Sequence, residues 1–528
     1  MSTSTILDDE NEISASKTKT TSKSFFHWQT LLFYALALIL LATGIWMRLH
    51  NLGLPFDRDS YDEGVYWQSL RAMSTGHTLY QQIFYSQPPF FLLSVFPIYL
   101  LFGQTIWAAR LGIALISLFG LLGALLLGKT LGGRIAAIAA MLLLLVNPLY
   151  LAESRILQAE APSTALALLA VGLAYLWWKR PEGTAGLCFA ALTAFTLALG
   201  ILAKFFAVVE LVPVGLLMVA YVWRISVTRD NPQRGHGRKG VPLRWEGARP
   251  LLIGIAVFIV TSALVLLPFA GSFSQMWQGA VSFHTDASRV LSYSRAGNKG
   301  MIENFLLGSP LTYAALLGTV VALLRRDWRV IPLVAWFGAT TVMLWRYAPL
   351  FPHHLIVLVP PMVALAAIGM GPVKLEKKAS VLFANVTTAL SLVMVLVVGV
   401  INGRADMSYY RADQAQTASE STQGPIRVAK ELQQVLQPGQ FVITDAQFLV
   451  GLADRNTPPS LVDTSNVRIQ TGYVTSQQLI EQAQQPEVHA VLFYTGRLAT
   501  QAAFHTWVKQ HFRLVHDYGG GRELWIKP

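Results

Sequence analysis

From residue 28 to residue 401 the chain is a succession of apolar runs broken by short polar or basic segments. A helix needs about 20 mostly apolar residues to cross a hydrocarbon core. Runs near that length are predicted at 28–48, 106–127, 135–152, 159–178, 184–203, 205–224, 250–270, 303–323, 330–346, 354–371 and 379–401. The pattern therefore predicts an all-α polytopic membrane domain of about eleven helices. One apolar piece is left out. Residues 88–103 make only about 24 Å of helix and contain Pro97, so they are read as a re-entrant or interfacial helix. Counting them as a span would place Lys129 and Arg134 outside and invert the basic loops that follow.

After Asn402 the apolar periodicity gives way to mixed patterning. Helical stretches at RVAKELQQVL and SQQLIEQAQQ alternate with strand-like FVITDA, AVLFYTG and RLVHDY. The expectation is a small α/β domain over 402–528, following the membrane domain of 28–401, whose external loop spans 49–105. Residues 1–27 are polar; the first 25, rich in Ser, Thr and Lys, are expected to be a disordered cytoplasmic tail.

Composition agrees with the pattern: 53% of residues are hydrophobic and 13% charged, which suits an integral membrane protein. The net charge of +12 comes largely from short loops between apolar runs, where basic residues mark the cytoplasmic side. Nucleic acid is therefore not the expected partner; membrane lipids are. The segment 224–249, with seven Lys/Arg, and the loops KRPEG, RRDWR and KLEKK set the orientation. They put the N-terminus inside and the C-terminal domain outside. A single cysteine, Cys188, excludes internal disulfides and thiolate metal sites.

That orientation gathers the remaining polar segments on one face. The stretch DRDSYDEGVYW, residues 57–67, stands there. SYDE fits a capping box, with Ser60 capping and Glu63 reaching back, which leaves Asp62 without a structural task. In the following pattern Tyr66, Trp67, Leu70 and Met73 make one apolar side, as for a helix lying on the outer membrane surface. A partly desolvated carboxylate there is suited to general-base work. Glu153, Arg155, Gln158 and Glu160 reach the same side, either as a polar loop with a salt bridge or as part of a site. Lys204, Arg346, His353 and His354 lie at outer ends of spans, and Arg289, Arg295 and Lys299 in the loop 271–302. Snorkelling accounts for any one of these cations; as a group they suit a phosphate-bearing ligand. Asp445, Asp454, Arg455 and Asp463 in the C-terminal domain are read as turn and cap residues rather than an acceptor site, and Gly519–Gly521 as a loop between strands.

The ordered segments YDEGVYW, TLYQQIFYSQPPFFL, IWAARLGIAL, NPLYLAESRILQAEAPS, GILAKFFAVVELVP and RYAPLFPHHLIVLVPP resemble the membrane glycosyltransferases of the GT-C fold. Among these, the nearest resemblance is to the protein O-mannosyltransferases and aminoarabinose transferases. It covers roughly residues 28–400. It implies an enzyme that moves a sugar from a polyprenyl-phosphate donor to a lipid, glycan or protein acceptor on the non-cytoplasmic side. By this resemblance the catalytic base is Asp62, with Glu63 beside it. The second acidic position, usually Asp, is offered here by Glu153 or Glu160, and the double histidine stands where related enzymes often have Arg or Tyr. Arg155, Lys204, Arg346, His353 and His354 become the donor-phosphate ligands, and direct displacement implies inversion. No metal is required, although Asp62 and Glu63 could take a divalent cation.

Three other readings compete. A lipid-linked sugar transporter or flippase is expected to hold its site near the midplane between repeated halves, and the sequence shows no repeat. An oligosaccharyltransferase using a lipid diphosphate is expected to carry a metal-binding acid cluster and a WWD-type motif, and 402–528 has none. A glycan-binding scaffold would want an aromatic surface, and 402–528 holds only Trp507 and Trp525.

Overall fold

The computed structural model describes residues 6–54, 60–230, 245–291, 295–371 and 378–528. Asp57, Arg58 and Asp59, residues 231–244 of the basic segment and most of KLEKK lie outside the described residues.

Among the described residues seven helices are long and apolar enough to cross a membrane, or eight with one bent pair counted as a span, against about eleven expected. Helix α1 (Ile6–Leu49) starts inside the stretch expected to be disordered. That stretch has no Pro or Gly before Gly44, and its acids precede its lysines, as the helix dipole favours. Next come α2 (Ser60–Ser74), the twelve-residue α3 (Phe90–Leu101), too short to span, and α4 (Ile106–Leu145). The last contains two of the expected spans, because the chain reverses at Gly133, where φ is 82°. The two arms meet so closely that a Cβ on Gly128 would lie 2.4 Å from the Ala136 carbonyl oxygen.

After the short α5 (Pro148–Glu153), α6 (Glu160–Lys179) and α7 (Gly183–Ala203) pack side by side. A 3₁₀ turn, Phe205–Glu210, leads into α8 (Leu211–Asp230). Then follow α9 (Trp245–Leu266), the short α10 (Phe273–Trp277) and α11 (Phe283–Val290). Helices α12 (Arg295–Gly308) and α13 (Pro310–Leu324) form the pair bent by 79°. The expected spans 330–346 and 354–371 appear as shorter apolar helices, α14 (Val330–Arg346) and α15 (Val359–Ile368) with its preceding turn. The long α16 (Lys378–Thr417) carries the chain to the C-terminal unit. One continuous core, including the fully buried Trp336, Tyr99 and Tyr175, lies among the helices. Leucines and valines of α1, α9 and α16 stay exposed on the outside, where hydrocarbon replaces water.

The C-terminal unit begins with α17 (Glu420–Val435) and contains a four-stranded sheet in the order β1 (Phe441–Thr444), β2 (Val488–Phe493), β4 (Arg522–Ile526), β3 (Arg513–Gly519). The β1–β2 pairing is parallel and the other two antiparallel. Strand alternation divides its core in two: Ile443, Val491 and Phe493 face one cluster, and Val442, Ala490 and Leu492 the other. Gly519–Gly521, all at positive φ, turn β3 into β4, the loop between strands that the sequence suggested. Helices α18 (Gln447–Leu452), α19 (Asn466–Gln470), α20 (Ser476–Gln484) and α21 (Ala502–His511) surround the sheet.

Helix α2 packs between the membrane helices and this unit rather than lying free on a lipid surface. Trp67 and Leu70 are buried. Gln68 donates to the Gln447 and Arg455 carbonyls and accepts from the Thr457 amide, and Arg71 bonds Asp454 and Asn456.

Candidate active site

A cavity of about 310 Å³ opens where α2, the starts of α6 and the Phe205–Glu210 turn, residues 347–354 and the C-terminal unit meet. Each key side chain stands at a break in regular structure. Helix α7 ends at Lys204, whose extended backbone (φ −156°, ψ 136°) also starts the next turn. Ser163 fixes this break by donating to the Gly200 and Lys204 carbonyls. Glu160 opens α6, near the positive end of the helix dipole. Pro352 starts the 3₁₀ turn Pro352–Leu358 that presents His353 and His354.

These residues form a buried charged cluster. Lys204 Nζ donates to Glu160 Oε1, and His353 Nε2 and His354 Nε2 lie 3.4 and 3.7 Å from the same oxygen. Phe206 packs edge-on against Tyr347 and His354, and Lys204 lies over its ring. Donor atoms of Glu160, His353 and His354 all fall within 4.8 Å of one another, the spacing of a metal site. One hydrogen bond disfavours a cation on His354. His354 Nδ1 accepts from the Phe351 amide, so the proton of the neutral ring is on Nε2, which then donates and cannot ligate a cation. Lys204 already neutralises Glu160.

Asp62, on the first turn of α2, lines the same cavity. Burial pushes its carboxyl up to about 6; His353 and Lys204 pull against that, and Glu160 and Asp463 add to it. Among the described residues no hydrogen bond falls on this carboxylate. Its neighbour Glu63 faces away. The Glu63 carboxylate takes both Nε and a terminal nitrogen of Arg110, at 2.7 and 2.6 Å, and accepts from the Leu157 amide. Arg110 also donates to the Leu52 and Leu54 carbonyls. The pairing of Asp62 and Glu63 on one function, whether base or cation site, is therefore corrected: Glu63 holds elements together, and it does so across the fold rather than as a cap.

Other expected residues lie elsewhere. Arg155 is fully buried outside the cavity, donating to the His50 carbonyl at 2.6 Å and pairing with Asp413 at 3.4 Å, beside Tyr410. It joins α16 to the end of α1. Glu153 ends α5, buried and away from the cavity lining. Arg346 ends α14 and is exposed. Arg289 and Lys299 are exposed and pair with Asp286 and Glu303.

The C-terminal unit adds a wall. Asp463 and Arg497 line the cavity. Tyr61 O–H donates to Asp463 Oδ1 at 3.0 Å and accepts from the Thr464 amide, with the Arg497 guanidinium 3.9 Å above its ring. The turn-and-cap expectation describes Asp445, which accepts from three backbone amides, and Arg455, which caps the end of α17. Asp463 does both: Oδ1 also accepts from Ser465 N. Tyr347 and His284, not singled out in the sequence, line the cavity as well, and so does Tyr66, which was read as part of an apolar membrane-facing side.

In fold, this helical membrane body is similar to the GT-C membrane glycosyltransferases. Residues 86–233 match the family model for dolichyl-phosphate-mannose-protein mannosyltransferases. The structure is similar to that of ArnT from Cupriavidus metallidurans in the apo state, with TM-score 0.59 and 16% identity over 95% of this chain and 98% of that one. Against the same protein bound to undecaprenyl phosphate the TM-score is 0.57, at 17% identity over 94% and 97%. At these identities the likeness is one of fold. A sequence search of curated proteins returns no match.

Proposed function

We propose that this multi-pass membrane protein is a glycosyltransferase that moves a sugar from a polyprenyl-phosphate donor to an acceptor hydroxyl on the non-cytoplasmic side. The observation that carries the reading is one cavity holding both Asp62, whose carboxylate takes no hydrogen bond among the described residues, and a cluster of N–H groups, Lys204 with His353 and His354. The mannosyltransferase family model and the undecaprenyl phosphate bound by the similar ArnT structure support the donor class.

The Asp62 carboxylate takes the proton of the acceptor hydroxyl as its oxygen bonds to the anomeric carbon. The bond from that carbon to the phosphate oxygen breaks, and the electron pair leaves with polyprenyl phosphate. Lys204 and the two imidazole N–H groups stabilise that departing charge in a site shielded from water. Attack opposite the leaving group inverts the anomeric centre. Glu160 positions Lys204 and His353. We propose no obligatory metal, because Lys204 and the imidazole N–H groups already offer donors to the single phosphate.

The test is sugar transfer from a panel of polyprenyl-phosphate sugars by full-length protein in lipid nanodiscs with EDTA present, products being read by mass spectrometry. Asp62→Asn is expected to lower turnover by at least 10²-fold while still binding polyprenyl phosphate. Turnover by the variant at the wild-type rate would refute the base assignment, and loss of wild-type activity in EDTA would favour an ion on Glu160, His353 and His354.

A further inference from the structure

Two polar side chains of the cavity have no task in this mechanism. Gln158 is 1% exposed, and among the described residues neither its Oε1 nor its Nε2 has a hydrogen-bond partner. Leaving both ends of a buried carboxamide unpaired is unfavourable, and in a native protein it calls for a ligand. Gln158 lines the same cavity as Asp62 and Lys204, two residues before Glu160. The second side chain is Asp463, 7% exposed, on the wall supplied by the C-terminal unit. Its Oδ1 is held by Tyr61 O–H and Ser465 N–H; among the described residues no hydrogen bond falls on Oδ2.

The chemistry of these groups selects a ligand. Gln158 offers a donor and an acceptor, and Asp463 Oδ2 an acceptor alone. A phosphate cannot donate to Asp463 and is repelled by its charge. A cationic group would leave the Gln158 donor unused. A neutral ring with several hydroxyls satisfies all three positions, since each hydroxyl both donates and accepts. We propose that Gln158 and Asp463 are specificity-determining residues that together hold the hydroxyls of a neutral sugar ring, so that the membrane helices and the C-terminal unit each supply part of the sugar site. This rests on the glycosyl-transfer reading above.

Binding measurements separate the two ideas. Full-length protein in nanodiscs is titrated with sugar-free polyprenyl phosphate and with polyprenyl-phosphate mannose, glucose, galactose and arabinose. Failure of the wild type to bind the sugar-free lipid would sink the glycosyl-transfer reading. Binding of that lipid with no gain from any sugar would sink the present one alone. Where a sugar adds affinity, Gln158→Leu is expected to remove about tenfold of it and to leave sugar-free binding unchanged. Its melting temperature should equal or exceed that of the wild type, because the amide bonds nothing among the described residues. Asp463→Asn, which keeps shape and can still accept, should lose severalfold. If donor affinity holds but KM for the acceptor rises by the same factor, the ring held is the acceptor's. Variants that bind and transfer like wild type, or that weaken the sugar-free lipid equally, would overturn the proposal.

Discussion

Asp62 and Glu63 are consecutive carboxyls with opposite fates, and the difference is partnership. Glu63 is bound by a buried guanidinium and a backbone amide. Glu63→Gln removes this buried bidentate ion pair and should destabilise the protein by about 3–5 kcal/mol. A double variant with Arg110→Met should recover part of this in thermal unfolding, showing that the two side chains are energetically coupled. Asp62 has the reverse profile. Its folded pKa of about 6 lies above the ordinary value of 3.8, so the folded state binds the proton more tightly than the unfolded one. Below about pH 4 both states are protonated and Asp62→Asn changes little. Between pH 4 and 6 the unfolded state ionises first and wild-type stability falls as pH rises. Above 6 the variant should be more stable than wild type by about 1–3 kcal/mol, while transfer by the wild type rises through pH 6 to a plateau. The sequence shows the acidic pair but not this division, because Arg110 lies 47 positions away inside an apolar run, where it reads as an isolated charge. Gln158 is equally silent: only a fold can show that an amide is unpaired.

At the scale of elements, the site is built from interruptions. The ends of α7 and α14, the start of α6 and the 3₁₀ turn before α15 converge, and each was legible as the limit of an apolar run. The reversal within α4 was legible in the same way, since GKTLGGR breaks the periodicity at the glycines that let the arms touch. The docking of α2 was not. Its apolar side matches a membrane surface as well as a protein one, and hydrophobicity alone does not distinguish them. The structure makes it a protein contact with almost no clearance. A Cβ on Gly64 would lie 2.4 Å from the Phe448 backbone nitrogen, and one on Gly451 would lie 2.6 Å from the Trp67 ring. Gly64→Ala must therefore push α18 away from α2, at a cost of about 1–3 kcal/mol. The displacement acts on the element that carries Tyr61 and Asp62 and holds Asp463, so turnover should fall with it. Limited proteolysis should show the C-terminal unit loosened, with cleavage between α16 and α17. An unchanged cleavage pattern and full activity would mean that this contact does not hold the cavity wall.

At the scale of the molecule, the proposal requires the cavity and the C-terminal unit to share one side of the membrane, opposite the basic loops. Lysines and arginines flanking spans are retained on the cytoplasmic side, and KRPEG and RRDWR both lie at the ends of α6 and α13 remote from Glu160 and the bend at Ser309. Helix α6 runs from Glu160 at the cavity to Lys179 over 20 residues, about 30 Å, which is one bilayer core. The cavity and KRPEG are thus separated by a full crossing, and orienting one orients the other. Because Cys188 is the sole cysteine, a Cys188→Ser background permits a direct measurement. Single cysteines at the exposed positions Glu182 and Asp517 are challenged with a membrane-impermeant maleimide in intact cells and after permeabilisation. Asp517→Cys should react in both, and Glu182→Cys only after permeabilisation. The opposite pattern would put the cluster of Lys204, His353 and His354 on the cytoplasmic face and would refute the proposed transfer to a non-cytoplasmic acceptor. Labelling of both from outside would mean that α6 does not cross, which would remove the membrane frame that holds Glu160 against Lys204.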